Sequence, residues 1–347
     1  MNRIFLVATL CLLFVSAASG QGVMNVPATA TVFVDCNAGD RIRVALARPA
    51  VELTIEITGI CVEDVEILRK NVTLRGTSPL TDGIRPAPDG LKRQVITVFG
   101  TNSISIENLN LAGANNGIGV NASFGVFVTN CLIEDNSFAG VIAGTASAVR
   151  VRDTVITSTA IPPPDRGIWV TNGSNMICTR CTIENHERGI LLRHGSEMLL
   201  FDSTVVGTLR GVEVVKASRF AMRTGSTIEG GSGGSQEAIL LSDNSSASLN
   251  NGNINGRFKL RRNSVVVLNG SSQLNTSLLF NDLRSGSSLF ARNSNFVGDF
   301  FITEFSNVTL PAGSTVSGSL SCSLGADAVC GNPSNVSGTS NCGQCPK

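Results

Sequence analysis

The 347-residue chain has no tyrosine, one tryptophan, two histidines and only 11 prolines, and 15% of its residues are charged. With proline this scarce and hydrophobic residues at 42%, neither a collagen-like nor a disordered composition fits. A basic excess is also missing. The 27 Lys and Arg face 26 Asp and Glu, and loss of a leader containing Arg3 makes the balance even. That excludes a general nucleic-acid or membrane-surface binder, which needs net positive charge. No apolar run is long enough to cross a bilayer. The longest, Ile4 to Val15, follows a short basic start at Asn2-Arg3 and precedes "SAASG". This is the pattern of an export signal over residues 1–20. Leu10 before Cys11 is a poor lipoprotein signature, so cleavage without a lipid anchor is expected, and a secreted or periplasmic protein with it.

What the chain has in abundance is a short phrase, repeated. Two or three small residues, a Ser and then alternating apolar residues recur as "TNSISIEN", "TASAVRVR", "HGSEMLLF", "KASRFAMR" and "RNSVVVLN". The leading serines are 103, 123, 147, 174, 196, 218, 245, 264, 287 and 306, with most gaps between 19 and 24 residues and two of 27. About seven residues after each comes a second phrase, such as "CLIED", "CTIEN" or "STIEG", with "VTLRG" at 72–76 as an earlier copy. Its third residue is always apolar: Leu111, Ile133, Ile156, Ile183, Val205, Ile228, Ile254, Leu274, Phe296, Val316. A third phrase ("GIGVNA", "GIWVTN", "GILLRH", "GVEVVK") closes most repeats. Each alternates apolar with variable residues, the period of a half-buried strand.

Three strands in each repeat of about 22 residues predict an all-β, single-stranded right-handed parallel β-helix of about 10–11 coils. At about 4.8 Å per coil the rod is roughly 50 Å long. Residues 30–61 are expected to form an N-terminal cap, with a short helix in "GDRIRVALARPA" started by Asp40 and Ile42, Val44, Ala45 and Leu46 covering the open core. Residues 62–320 form the β-helix and 321–347 a cysteine-containing tail.

The opening "VFVDCNAGDRIRVAL", then "LTIEITGICVEDVEILRKNVTLRG" and "VITVFGTNSISIENLNLAG", resemble secreted right-handed β-helix proteins of the pectin lyase-like superfamily over about residues 30–320. The superfamily includes lyases, hydrolases, esterases, epimerases, tailspikes and proteins without a known reaction, so the resemblance implies an architecture more than an activity. The acidic calcium cluster of its lyases is not marked out here, and the Asp-Asp pair and "NTD" motif of its polygalacturonase-like hydrolases and the "DFIFG" of its esterases are absent. His194-Gly195 echoes the hydrolases' His-Gly without their carboxylates. The outward acids Glu134, Glu184 and Glu229 fall two coils apart, roughly 10 Å, near the upper limit for an inverting pair.

"CTRCTIENHERGILLRH", residues 178–194, holds a Cys-x2-Cys pair and both histidines, the ligand set of a structural zinc. Register argues against it. Cys178 and Cys181 lie near one corner, while His186 and His194 follow different strands, too far apart for one tetrahedral ion. No metal is therefore assigned. Cys181 falls in a small-residue column with Cys131, Thr154, Ser203 and Ser226, where cysteine acts as a small hydrophobe. A Cys131–Cys181 bridge is excluded by the intervening coil of Thr154. Cys36 and Cys61 bracket the cap and are expected to pair in an exported protein. Cys322, Cys330, Cys342 and Cys345 form a disulfide-stapled tail of undecided connectivity, and the odd number of mature cysteines leaves room for buried free thiols.

Three insertions (77–94, 158–165 and 230–237) are expected at the corner between second and third strands, where insertions mark a functional face. The outward column there reads Gly119, Ile142, Trp169, Leu191, Glu213, Leu240, Lys259. Beside it Arg166, Arg188 and Arg210 stand 22 residues apart, each followed by Gly. Guanidinium forks match carboxylates and sulfates, so Arg166, Trp169, Leu191 (with Arg188 and Arg210) are the candidate ligand site for an acidic polysaccharide or cell-surface glycan. The competing expectation is a ladder of salt bridges to Asp165, Glu184, Glu187 and Glu213 with no ligand. The function expected is glycan or surface binding, or a structural role. The alternative is a polysaccharide lyase or glycoside hydrolase at the same corner, with calcium as cofactor only in the lyase case. Sequons at Asn71, Asn121, Asn172 and Asn307 follow from corners rich in Asn and Ser.

Overall fold

The computed structural model describes residues 26–88, 94–231, 237–270, 272–275, 281–331, 335–343 and 345; the expected export signal lies outside them. First strands of successive coils stack into a parallel sheet of 14 strands, from Thr29–Asp35 to Asp327–Cys330. Second and third strands share a second sheet, joined because Thr182–Leu192 and Thr204–Val214 each run through the bend between them. The result is a right-handed β-helix of about 13 turns, roughly 60 Å long. Two more turns exist than the repeats predict, because both ends join the stack. Glu52–Thr58, Ile60–Val62 and Val65–Ile67 make a full coil near the start. Asp327–Cys330 and Asn335–Val336 pair with the coil before them at the end.

The column of third residues in the second phrase is real. Ile84, Leu111, Ile133, Ile156, Ile183, Val205, Ile228 and Ile254 are successive rung partners, all fully buried. Each such side chain contributes about 1.5–3 kcal/mol by leaving water. "VTLRG", however, is not a second-strand copy. Val72–Gly76 is a first strand, paired with Glu52–Thr58 and Asn102–Glu107, and Gly83–Arg85 takes the second-strand place. Three-residue apolar alternation is common to all strands, so the phrase alone did not decide which sheet it joins.

Serines hold the corners. At the corner entering the first strand, the buried N–H of Thr101, Ser123, Ser147, Ser196, Ser218, Ser264 and Ser287 donates to the hydroxyl one coil on, at 3.0–3.3 Å. Two residues of left-handed backbone precede most of these serines, for example Asn172-Gly173, His194-Gly195 and Asp243-Asn244. A conformation tolerated by Gly, Asn and Asp thus explains the small and polar residues before most of the Ser positions, with Phe305 before Ser306 the exception. Position 103 proves to be off the ladder: Ser103 is exposed, and Thr101 occupies the buried place. The second corner repeats the device, with Cys131 N–H donating to Thr154 Oγ1 and Cys181 N–H to Ser203 Oγ, at 3.3 and 2.9 Å.

The N-terminal end is covered by the helix Ile42–Leu46. Ile42 and Ala45 are buried and Leu46 packs on the core, whereas Val44 faces solvent. Asp40 does not cap this helix; it accepts from the Asp35 N–H at 3.1 Å. Glu63, from the coil beneath, accepts from the Ile42 and Arg43 N–H groups at 2.7 and 3.2 Å, so the orphan donors of the first turn are satisfied by tertiary packing. Cys36–Cys61, Cys322–Cys342 and Cys330–Cys345 are disulfides, which staple the first and last turns.

Ser147→Ala leaves the Ser123 N–H without its acceptor and the Gly144 carbonyl without its 2.6 Å donor. Urea unfolding should show a loss of about 1–3 kcal/mol. Ser103→Ala should change stability by less than about 0.5 kcal/mol.

Candidate functional site

The third strands carry one residue of each coil at the same place, so side chains stack in columns about 4.8 Å apart. Arg166 pairs in register with Arg188, and Arg188 with Arg210. Trp169 lies against Leu191, Leu191 against Glu213 and Glu213 against Leu240. Both columns run as the alternation predicts. The glycine after each arginine has a steric cause: a Cβ on Gly167 or Gly189 would sit 2.8 Å from the carbonyl oxygen of the next coil's glycine. Only glycine lets the coils approach this closely at the bend, which fixes the arginine beside it at the corner.

The arginines are paired. Arg166 bonds Asp165 at 2.7 Å, and Arg188 bonds Asp165 and, at 2.7 Å, Glu213. Arg210 bonds Glu213 at 2.8 Å and Glu237 at 2.6 Å; Lys259 also bonds Glu237, at 2.8 Å. Arg193 approaches Glu213 to 3.9 Å, and Arg257 and Arg284 hold Asp282 at 3.7 and 2.6 Å. A continuous chain of alternating charge therefore climbs the corner from Arg166 to Lys259, and the Asp282 cluster stands apart from it. Within the chain, five cations share three carboxylates. Burial opposes the negative charge of Glu237, but Lys259 and Arg210 hold its carboxyl below the usual range. Burial likewise opposes the charge on Arg210, and Glu237 and Glu213 more than compensate, raising its pKa.

Arg166 differs. Its guanidinium lies between the rings of Phe138 and Trp169, 4.5 and 4.4 Å from their centroids, and only 7% of the residue is exposed. Burial, aided by repulsion from Arg188 and Arg193, outweighs Asp165 and lowers its pKa. Trp169 is half-buried in this stack, not an open platform. Leu191 was expected on the outer surface. It points away from the core cluster yet is fully buried, because the indole and the ion-paired Glu213 flank it on adjacent rungs. Leu191 thus supports the ladder from below and offers a ligand no surface. Sequence reasoning missed Phe138 and Arg193. Phe138 precedes Ala139, the rung partner of Arg166, so extending that column by one residue would have found it.

Of the three insertions, residues 158–165 lie at the second-to-third corner and supply Asp165; Asp135 ties down Thr159, whose N–H it accepts at 2.7 Å. Residues 77–82 lie instead between a first and a second strand, as the reassignment of Val72–Gly76 requires. Of 86–93 and 230–237, residues 89–93 and 232–236 fall outside the described residues.

Cys178 and Cys181 form a disulfide with their Cα atoms 6.1 Å apart, correcting the reading of Cys181 as a small hydrophobic stand-in. The turn at left-handed Arg180 brings both side chains inward, into bridging range. Cys131 is a buried free thiol, and burial raises its pKa to about 12. His186 is buried; His194 is exposed at the next corner, 3.2 Å from Thr171 and 3.1 Å from Lys216, in the turn that His-Gly builds. Among the described residues no group of three His, Cys, Asp or Glu is placed to hold a metal ion. Glu134 and Glu184, and Glu184 and Glu229, are separated by an intervening rung. Glu134 and Glu229 accept from Asn110 and Asn255 at 2.6 and 2.9 Å.

A family described as the right-handed β-helix region matches residues 58–227 and 116–283. No curated protein sequence matches the chain. Among solved structures, tailspike protein 2 of the Escherichia coli O157:H7 bacteriophage CAB120 is 12% identical, with a TM-score of 0.52 over 76% of this chain and 42% of its own. The gp42 tailspike of Acinetobacter phage vb_AbaP_AS12 is 11% identical, with a TM-score of 0.55 over 82% of this chain and 58% of its own. The chain thus spans about half the length of the two tailspikes. The catalytic domain of a GH87 α-1,3-glucanase, solved with tetrasaccharides, is 12% identical, with a TM-score of 0.50 over 85% of this chain and 68% of its own. At such identities the likeness is one of fold.

Two measurements check the site. Alkylation of the unreduced, denatured protein should label Cys131 alone among the described cysteines, read by peptide mass. Burial lowers the His186 pKa to about 4 from 6.5. Above pH 6.5 both folded and unfolded chains hold it neutral. As pH falls from 6.5 to 4 only the unfolded chain gains the proton, so stability drops by roughly 3 kcal/mol. Urea midpoints at pH 7 and 4.5 should differ more for the native chain than for His186→Gln.

Proposed function

The chain belongs to the right-handed β-helix family, within the pectin lyase-like superfamily, and on that footing we propose that it is a glycan-binding solenoid. Its ligand is an acidic polysaccharide lying along the outer side of the third strands, over Arg188, Arg193 and Arg210. One observation carries this reading: the ion-pair ladder holds five cations for three carboxylates, on a protein with almost no net charge. A ladder serving only stability needs no such excess. Like charges stacked a rung apart repel, and the anionic groups of an extended polymer relieve that repulsion. The carbohydrate complexes of a glucanase with the same fold support a carbohydrate ligand, and the excess of cations supports its being acidic. Binding without cleavage is our first reading; four disulfides suit the oxidising exterior or periplasm in which such a polymer is met.

The full chain should be retained on polyuronate or sulfated-glycan matrices and not on neutral glucans, and salt should elute it. Arg193→Gln, at the rim of the ladder, should weaken retention about threefold, as expected for loss of one partly exposed guanidinium contact. Equal retention on neutral glucan, or none on either, would dismiss the reading. A rise in ultraviolet absorbance from unsaturated products, with or without calcium, would show a lyase in place of a binding module.

A further inference from the structure

The outer face of the first-strand sheet carries a patch that the polysaccharide site does not use. Its central column is polar near the N-terminal end, through Thr54, Thr73 and Ser105. After Phe127 and Arg150 it becomes Ile177, Leu199, Ala221, Ser248 and Val267, each on the next rung. They line a groove of about 630 Å³, concave because two small side chains follow two large ones. Aliphatic side chains on the solvent face of several successive rungs are not needed by the core and call for a partner.

We propose that this face binds a second copy of the chain, with the two solenoids antiparallel about a two-fold axis that runs along the strands, midway between the rungs of Leu199 and Ala221. Such an axis reverses the order of the rungs and leaves each column facing itself. Leu199 then meets the partner's Ala221, and Ile177 the partner's Ser248. Large faces small in both pairs. In the column beside them Glu197 and Arg219 are rung neighbours, with side chains 58% and 74% exposed. The same axis sets Glu197 against the partner's Arg219, and the reverse.

The charges fix the register. An axis through the Leu199 rung would set Glu197 against itself, and one through the Ala221 rung would set Arg219 against itself. A parallel pair, about an axis along the rod over the central column, would reverse the strands and set Arg219 against the partner's Arg223. Among antiparallel axes, the one between those two rungs is the register that sets Glu197 and Arg219 of the two copies against each other. The faces pair over four rungs, Ile177 to Ser248, and one strand's length, about 20 by 17 Å, with Val267 at the edge beside the partner's Arg150. That is below the area of a standard interface, so association is weak and concentration-dependent.

Sedimentation velocity of the full chain between roughly 10 μM and 1 mM, the range suited to a small interface, should show the mass rising toward twice the monomer. Glu197→Arg and Arg219→Glu should each stay monomeric, because each places like charges across the axis. Mixed in equal amounts, the two variants should associate, since every facing pair is then again opposite in sign. Leu199→Asp should abolish association outright, with circular dichroism showing an unchanged fold. A native chain monomeric throughout, single variants that associate as the native chain does, or a mixture that stays monomeric would each overturn the proposal. The polysaccharide site lies on the other sheet, so retention on acidic matrices should be the same for all of these variants whether or not they associate.

Discussion

At two of the three bends of most coils a buried N–H cannot reach another strand, and a hydroxyl from the next coil accepts it. That hydrogen bond is the constraint on which the architecture rests. A buried donor left without an acceptor costs about 1–3 kcal/mol, and the same donor recurs at almost every coil. Serine meets the need with a side chain small enough to be buried at the corner. Its hydroxyl accepts from one coil and donates to a carbonyl of its own turn, as Ser147 does to Gly144. With the corners fixed in this way, strand alternation needs no further information to place apolar residues inside.

Exact stacking has an electrostatic consequence. Residues that recur at the same phase of each repeat come within about 5 Å of their counterparts, so three arginines 22 residues apart become neighbours whether or not that is favourable. The molecule meets the repulsion by placing Asp165, Glu213 and Glu237 between them and by sealing Arg166 between two aromatic rings. The same stacking produces the aliphatic column on the opposite sheet. Both faces are therefore properties of the repeat phase, and neither depends on a loop.

The ends are treated differently, because a stack has two open edges. At the N-terminus a five-residue helix lies over the core, its first turn held by Glu63 of the coil beneath. The disulfide Cys36–Cys61 ties this cap to the first full coil. At the C-terminus Cys322–Cys342 and Cys330–Cys345 lock the last described turn to its neighbours. The fourth bridge, Cys178–Cys181, is internal and tightens one bend within a single coil.

Whatever follows from phase was legible in the sequence. The serine spacing determined the solenoid, the alternation determined which residues of "GIWV" and "GILL" point inward, and the 22-residue spacing determined that Arg166, Arg188 and Arg210 stack. Phase could not decide contacts that depend on side-chain reach or on which of two equivalent strands a phrase becomes. "VTLRG" satisfies the pattern of any strand, and only pairing with Glu52–Thr58 and Asn102–Glu107 made it a first strand. Leu191 has an outward phase, and only the bulk of its rung neighbours buried it. Cys178 and Cys181 looked like separate column members until the left-handed turn between them brought the sulfurs together. The helix cap came from Glu63, more than twenty residues away from the nearby Asp40 that a local rule selects. The sequence by itself determined the periodic order; tertiary structure decided the partners, because hydrogen bonds, ion pairs and disulfides form between atoms whose distance is set by how coils pack.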